Sequence, residues 1–223
     1  SSEKCVLGLA TGVSPIKLYQ ELVRMHREEG VSFRNVVTFN LDEYLPMPKE
    51  SEQSYHYFMH HHLFDHIDID PKNIHIPDGT LKGDEIDKFC RNYEKEIEAA
   101  GGIDLQILGI GRTGHIGFNE PGSFITSQTR KVFLNDLTIK DAIKDFGSRD
   151  LVPTKAITMG VGTIMQARRV ILMAWGEKKA PIIKATVEGR VSDSVPATFL
   201  QMHSNVQFVI DESAASELTR ADY

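Results

Sequence analysis

The sequence predicts an α/β fold, a doubly wound, mostly parallel, Rossmann-like sheet with helices on both faces. Short apolar runs rich in β-branched residues alternate with amphipathic stretches of helical period along the whole chain. The 223 residues are 41% hydrophobic, enough to bury the core of one α/β domain spanning 1–223. No internal repeat or linker interrupts this alternation. In such sheets ligands bind where loops leave the carboxyl ends of the strands.

The predicted strands lie at 5–10, 36–41, 104–110, 156–160, 169–175 and 205–210. The first of them contains Val6-Leu7-Gly8-Leu9, an apolar run almost at the first residue. We therefore expect that an edge of the natural fold precedes this strand.

The predicted helices lie at 15–29, 52–65, 84–100, 138–145, 178–188 and 212–219. In the first, Ser14 is the expected N-cap, Pro15 opens the helix and Gly30 follows its end. Helix 84–100 carries Cys90 in its apolar stripe, so this cysteine is interpreted as a core residue and not as a disulfide partner.

Charge and hydropathy exclude several classes of partner. Lys and Arg number 25 against 31 Asp and Glu, a net charge of -6, and the two signs are interspersed. Nucleic-acid binding needs a basic surface, so nucleic acid is not expected as a partner. No apolar run approaches the roughly 20 residues of a membrane span, and no secretory signal opens the chain. The protein is therefore expected to be cytoplasmic, without a membrane partner.

The first candidate loop is Thr11-Gly12-Val13-Ser14-Pro15, between a strand and a helix. A helix start offers unpaired backbone N–H groups and partial positive charge, Gly12 allows close approach, and the Thr11 and Ser14 hydroxyls can add hydrogen bonds. This combination suits a phosphate group. An ordinary N-cap turn explains the same residues, and the two interpretations stay open on this loop alone.

The second candidate loop follows strand 36–41 with Asp42-Glu43-Tyr44. A carboxylate at the end of a buried strand loses solvation, which raises its pKa and makes it a better proton acceptor. Neighbouring residues of an extended segment point to opposite faces, so only one of the two acids is expected to face a ligand. A solvated strand end is the alternative.

The third candidate loop follows strand 104–110 and is rich in glycine, with Gly114 directly before His115 and with Glu120 five residues later. A histidine that titrates near neutral pH beside a carboxylate is a pair suited to proton transfer. A lone histidine is more often structural, but its place in a strand-to-loop transition favours function.

Lysines and histidines supply two further candidates. Lys178 and Lys179 follow strand 169–175 and are expected near a phosphate at the carboxyl edge of the sheet, while Lys144 lies in a polar segment that could cover the site. Five histidines crowd helix 52–65: His56, His60, His61, His62 and His66. Their one-turn spacings suit a metal, but neighbouring core residues favour an exposed helix face, and no metal is predicted.

Three ordered motifs carry a family resemblance. They are Val37-Thr38-Phe39-Asn40-Leu41-Asp42-Glu43-Tyr44, Gly114-His115-Ile116-Gly117-Phe118-Asn119-Glu120-Pro121 and Met159-Gly160-Val161-Gly162-Thr163. Together they resemble the glucosamine-6-phosphate deaminase family over nearly the whole chain.

The resemblance implies an amino-sugar phosphate isomerase and deaminase. Asp42 would move a proton from C2 to C1 of the open-chain sugar, and His115, oriented by Glu120, would open the pyranose ring. Thr11, Gly12, Ser14 and Lys179 would hold the 6-phosphate, with Gly114 also assigned to the substrate site and Lys144 near the usual lid arginine. The products would be fructose 6-phosphate and ammonia, with no metal or organic cofactor. The oligomeric state stays open, a homo-oligomer included.

Departures from the family pattern keep two alternatives. Thr113 stands where well-known members carry an Asp, Val13 where many carry Gly, and Lys144 where Arg is common. The related 6-phosphogluconolactonases share the fold but usually show Asp-Glu-Arg in place of Asp42-Glu43-Tyr44. A catalytically silent sugar-phosphate-binding regulator is the other alternative, and it rests on Thr113.

Overall fold

The main sheet has six parallel strands, in agreement with the mostly parallel sheet that the alternating pattern predicts, although one of them, at 74–75, was not predicted. A computed structural model describes residues 4–219. The strands run in the order β4-β2-β1-β5-β8-β9, each parallel to its neighbour. Their bounds are β1 Cys5–Leu9, β2 Val36–Asn40, β4 Ile74–His75, β5 Leu105–Leu108, β8 Arg169–Ala174 and β9 Val206–Ile210. Helices surround this sheet, so the predicted α/β class is confirmed.

A second, three-stranded sheet was not predicted. Its order is β3-β7-β6, all antiparallel, with bounds β3 Asp42–Leu45, β6 Arg130–Phe133 and β7 Lys155–Thr158. The strand expected at 156–160 is therefore real, but it does not join the parallel sheet. Only one residue separates β2 from β3, so the chain passes from one sheet to the other at Leu41.

Six α-helices connect the strands within residues 4–219. They are α1 Ile16–Glu29, α2 Tyr55–His62, α3 Asp84–Ala99, α4 Asp136–Phe146, α5 Val161–Met165 and α6 Ala180–Glu188. Two predictions about helices are wrong. Pro15, not Ser14, holds the N-cap position of α1, because the residues before it form a turn. The stretch 212–217 forms successive turns instead of the helix expected at 212–219.

The core confirms the amphipathic interpretation of the helices. In α3 the buried residues are Ile86, Cys90, Tyr93 and Ile97, which recur at helical spacing. A large apolar cluster fills the space around the parallel sheet, and a smaller one lies under the antiparallel sheet. No helix within 4–219 is long and apolar enough to cross a membrane.

The topology brings four chain segments to one edge. Strands β2, β1, β5 and β8 are neighbours and parallel, so the loops that follow them leave from the same side of the sheet. These loops carry the residues that the sequence singled out.

Candidate active site

A cavity of about 370 Å³ lies at the carboxyl ends of these four strands. Its lining includes Thr11, Gly12, Ser14, Asp42, Tyr55, Gly111, His115, Lys144, Trp175 and Lys179. A more open cavity of about 740 Å³ adjoins it and shares several of these residues. Seven of the nine residues predicted for the site therefore lie around one space.

The first loop forms one wall. Gly12 has φ +87°, a backbone conformation that glycine adopts without strain. The Trp175 Nε1 donates to the Ser14 carbonyl at 2.9 Å, which ties this loop to the end of β8. Thr11 and Ser14 face the cavity just before α1 begins, so their hydroxyls and the backbone suit a small anion.

Asp42 is a buried carboxylate on the cavity wall. It lies opposite Thr158 in the second sheet and is only 6% exposed. No residue within 4–219 donates a hydrogen bond to its side chain. Burial raises the pKa of Asp42 well above its usual range, and the charge of Glu43 adds to that rise. The result is a carboxyl group with the character of a proton acceptor.

His115 and Glu120 approach each other behind this cavity. The His115 Nδ1 lies 3.4 Å from the Glu120 Oε2 and 3.1 Å from the Thr113 Oγ1. The imidazole ring packs against the Gly111 backbone, where an added Cβ would come within 2.1 Å of the ring. His115 lines both cavities, while Glu120 lines neither and supports the ring from behind.

Hydrogen bonds keep Glu120 ionised. The Thr138 hydroxyl and the Asn135 N–H, at 3.4 Å, both donate to its Oε1 at the start of α4. Burial by itself would raise the pKa of Glu120, but the contact with His115 and these donors hold it below its ordinary value.

Lys179 is the cation at the end of β8. Its Nζ donates to the Ile110 carbonyl at 2.6 Å, and no carboxylate within 4–219 forms an ion pair with it. Burial lowers the pKa of Lys179; the charge of Asp141 opposes this effect, and the charge of Lys144 adds to it. Lys144 projects from α4 into both cavities, so two lysines face the space beside the first loop.

Gly114 lies away from the cavity walls. It has φ +78°, its carbonyl accepts from Ala197 N at 2.8 Å, and an added Cβ would lie 2.4 Å from Val195 Cγ1. These contacts account for glycine here without a ligand.

Sequence reasoning missed two residues of the site. Tyr55, the first residue of α2, lines both cavities, and Trp175 lines the smaller one. Their tertiary neighbours are far away in sequence, so no local pattern identifies them.

The histidines of α2 and of the turn after it do not line this cavity. His56 and His60 stack at 4.5 Å between ring centroids, and His60 pairs with Asp65 at 2.7 Å. Within residues 4–219, no three His, Cys, Asp or Glu side chains are arranged to hold a metal ion.

Known proteins resemble this chain in both sequence and fold. The family model for glucosamine-6-phosphate isomerases and 6-phosphogluconolactonases matches residues 1–209. A glucosamine-6-phosphate deaminase of Halothermothrix orenii is 52% identical over 213 residues, 96% of this chain and 88% of the relative. A solved structure of a monomeric glucosamine-6-phosphate deaminase superposes with a TM-score of 0.93 at 43% identity, covering 96% of this chain and 88% of the other.

One relative is much longer. A glucosamine-6-phosphate deaminase-like protein of Bacteroides thetaiotaomicron is 50% identical over 216 residues, which are 97% of this chain. The chain spans about a third of that relative's length, 33%. The match over residues 1–209 and the identities near 50% lead to one conclusion: the chain belongs to the family of glucosamine-6-phosphate isomerases and 6-phosphogluconolactonases.

Proposed function

We propose that this protein converts glucosamine 6-phosphate into fructose 6-phosphate and ammonia. The proposal rests on Asp42. Its carboxylate is buried, lies beside a cavity of the size of a sugar, and accepts no hydrogen bond from residues 4–219. The relatives named as glucosamine-6-phosphate deaminases support the same chemistry.

In this proposal the phosphate binds at the first loop. Thr11, Gly12 and Ser14 offer hydroxyl and backbone donors, and Lys179 and Lys144 supply positive charge to the same cavity. Lysine acts here as a point charge, so the loop must supply the directional hydrogen bonds.

Ring opening is assigned to His115. The imidazole takes the proton of the anomeric hydroxyl and returns it to the ring oxygen, while the C1–O5 bond breaks and a C1 carbonyl forms. Glu120 stands behind the ring and stabilises its charged form when the proton is held.

The isomerisation is assigned to Asp42. The carboxylate removes the C2 proton of the open-chain amino aldehyde while a proton of the substrate's ammonium group moves to O1, which gives an enolamine. The protonated carboxyl group then delivers its proton to C1, which leaves a protonated imine at C2. Water then adds to the C2 imine and ammonia leaves. The transfer of a proton from C2 to C1 needs a carboxylate that can take up the proton and keep it until C1 receives it. The raised pKa of Asp42 suits that role.

One assay separates this proposal from its alternatives. Release of ammonia and fructose 6-phosphate from glucosamine 6-phosphate supports the deaminase. Hydrolysis of 6-phosphogluconolactone without deamination would instead make the chain a lactonase. Thermal stabilisation by glucosamine 6-phosphate with no turnover of either compound would make it a regulator.

Domain organisation, oligomeric state and cellular location complete the proposal. Because the cavity takes its lining from both sheets, we treat residues 1–223 as one functional domain. The solved glucosamine-6-phosphate deaminase that superposes on this chain is monomeric, which supports a protein that works without forming a homo-oligomer. Cys5 and Cys90 are both free thiols, which agrees with a cytoplasmic location.

A further inference from the structure

The Thr113 hydroxyl contacts both the histidine and the carboxylate of the site. Its Oγ1 is 3.1 Å from His115 Nδ1 and 3.5 Å from Glu120 Oε2, while those two groups are 3.4 Å apart. The three atoms therefore form a triangle in which the neutral hydroxyl lies slightly closer to the imidazole than the carboxylate does.

The other carboxylate oxygen of Glu120 already has donors. Its Oε1 accepts from the Thr138 hydroxyl and from Asn135 N, so the carboxylate is held from the α4 side. Its Oε2 is left to face Thr113 and His115.

The direction of each hydrogen bond follows from the carboxylate. An ionised carboxylate can only accept, so the single hydroxyl proton of Thr113 is donated to Glu120. The Thr113 oxygen then accepts, and the only donor that His115 can offer it is a proton on Nδ1. The reverse arrangement would leave a bare Nδ1 facing the lone pairs of Glu120 at 3.4 Å.

We infer that Thr113 is a positioning residue that holds His115 in the Nδ1–H tautomer and leaves Nε2 free to accept a proton in the cavity. This inference rests on the proposed function, in which His115 must begin ring opening as a base. Packing against Gly111 fixes the plane of the ring, whereas Thr113 fixes where its proton sits. No residue within 4–219 forms a hydrogen bond with Nε2.

Two variants of Thr113 test the inference by turnover. Thr113→Val keeps the shape of the side chain but loses the hydroxyl, and we expect kcat to fall about tenfold with KM within about twofold. Thr113→Ser restores the hydroxyl and is expected within about threefold of the wild-type kcat. Melting temperatures of all variants show whether each one folds.

A matched control is available elsewhere in the chain. Thr129 is a buried threonine whose hydroxyl also donates to a glutamate, Glu94, at 2.6 Å. Thr129→Val loses the same type of bond away from both active-site cavities, so its kcat should stay within about twofold of wild type. A tenfold loss in this control would mean that any such bond matters for folding, and would overturn the assignment to Thr113.

The deciding readout does not need turnover. Nitrogen-15 chemical shifts of the His115 ring report which nitrogen carries the proton. We expect Nδ1–H in the wild type and in Thr113→Ser, and a mixture of tautomers in Thr113→Val. An unchanged tautomer in Thr113→Val overturns the inference, whatever happens to kcat. The predicted tautomers in a protein that releases no ammonia would uphold the inference and reject the proposed function.

Discussion

Asp42 and Glu43 are adjacent acids at the start of β3, and they differ in the hydrogen bonds that their carboxylates accept. Both are buried, at 6% and 1% exposure. Glu43 accepts three backbone hydrogen bonds, from Tyr44, Tyr55 and His56, at 2.9 to 3.1 Å. Asp42 accepts none from residues 4–219 and faces the cavity.

The difference separates a carboxylate that stabilises the fold from one that is available as a base. Glu43 satisfies backbone N–H groups at the start of α2, where the helix dipole also favours a negative charge. Burial still raises its pKa to about 7, with those hydrogen bonds opposing the rise. Asp42 has no such hydrogen bonds from residues 4–219 to offset its burial, so its pKa stays raised and its carboxylate is a stronger base.

The largest effect is expected from Asp42→Asn. Removing the base should lower kcat by at least about a hundredfold. The same change should raise the melting temperature at pH 8, because an uncompensated buried charge is replaced by a neutral amide. The folded pKa of Asp42 is raised, so the wild type loses stability as pH rises through it, and the advantage of the variant should grow with pH.

Turnover and calorimetry on the same preparation check this prediction. Retained activity would show that Asp42 is not the base, and a lower melting temperature at pH 8 would show that its charge is as well compensated as that of Glu43.

Lys179→Ala extends the comparison to a cation. Lys179 has a single carbonyl partner and faces the cavity, so its loss should raise KM at least about tenfold. Lys178 is the matched control, since it lines only the outer cavity, and Lys178→Ala should change KM by less than about threefold. Equal effects of the two variants in steady-state kinetics would remove Lys179 from the phosphate site.

Glu43→Gln should give the opposite stability result to Asp42→Asn. An amide can accept from two of the three N–H groups, but its NH₂ then faces the third, so the melting temperature should fall by about 2–5 °C. Because α2 places Tyr55 on the cavity wall, we expect kcat to fall about threefold. A thermal scan in which Glu43→Gln is as stable as the wild type would contradict its capping role.

The smallest expected effect is a shift in pH dependence. The base works only when ionised, so activity should fall on the acidic side at a pH above the usual range of an aspartate. Glu43→Gln removes a neighbouring negative charge, which should lower the pKa of Asp42 and move this limb about half a pH unit towards acid. The substrate phosphate titrates identically in both proteins, so profiles of kcat/KM isolate the shift, and a limb that does not move would show that the two acids are uncoupled.

Local sequence pattern was sufficient for most of the parallel sheet and for the loops that follow its strands. The apolar runs behind β1, β2, β5, β8 and β9 have the length and composition of buried strands. Short β3 and β6 escaped notice because each has only four residues, buried throughout in β3 and partly exposed in β6, and so short a run shows little strand pattern. The helix expected at 212–219 does not form, because a helical preference over so few residues is not stable without packing to support it.

The sequence by itself determined that acids, a histidine and lysines follow the strands of an α/β sheet, since strand periodicity and loop composition are local properties. Only the tertiary structure decided which acid is used. Alternation predicts opposite faces for Asp42 and Glu43, but the choice depends on where α2 places its unpaired N–H groups. Likewise, the contact of Thr113 with both His115 and Glu120 depends on how the glycine-rich loop folds back, because a hydrogen bond requires a geometry that spacing does not specify.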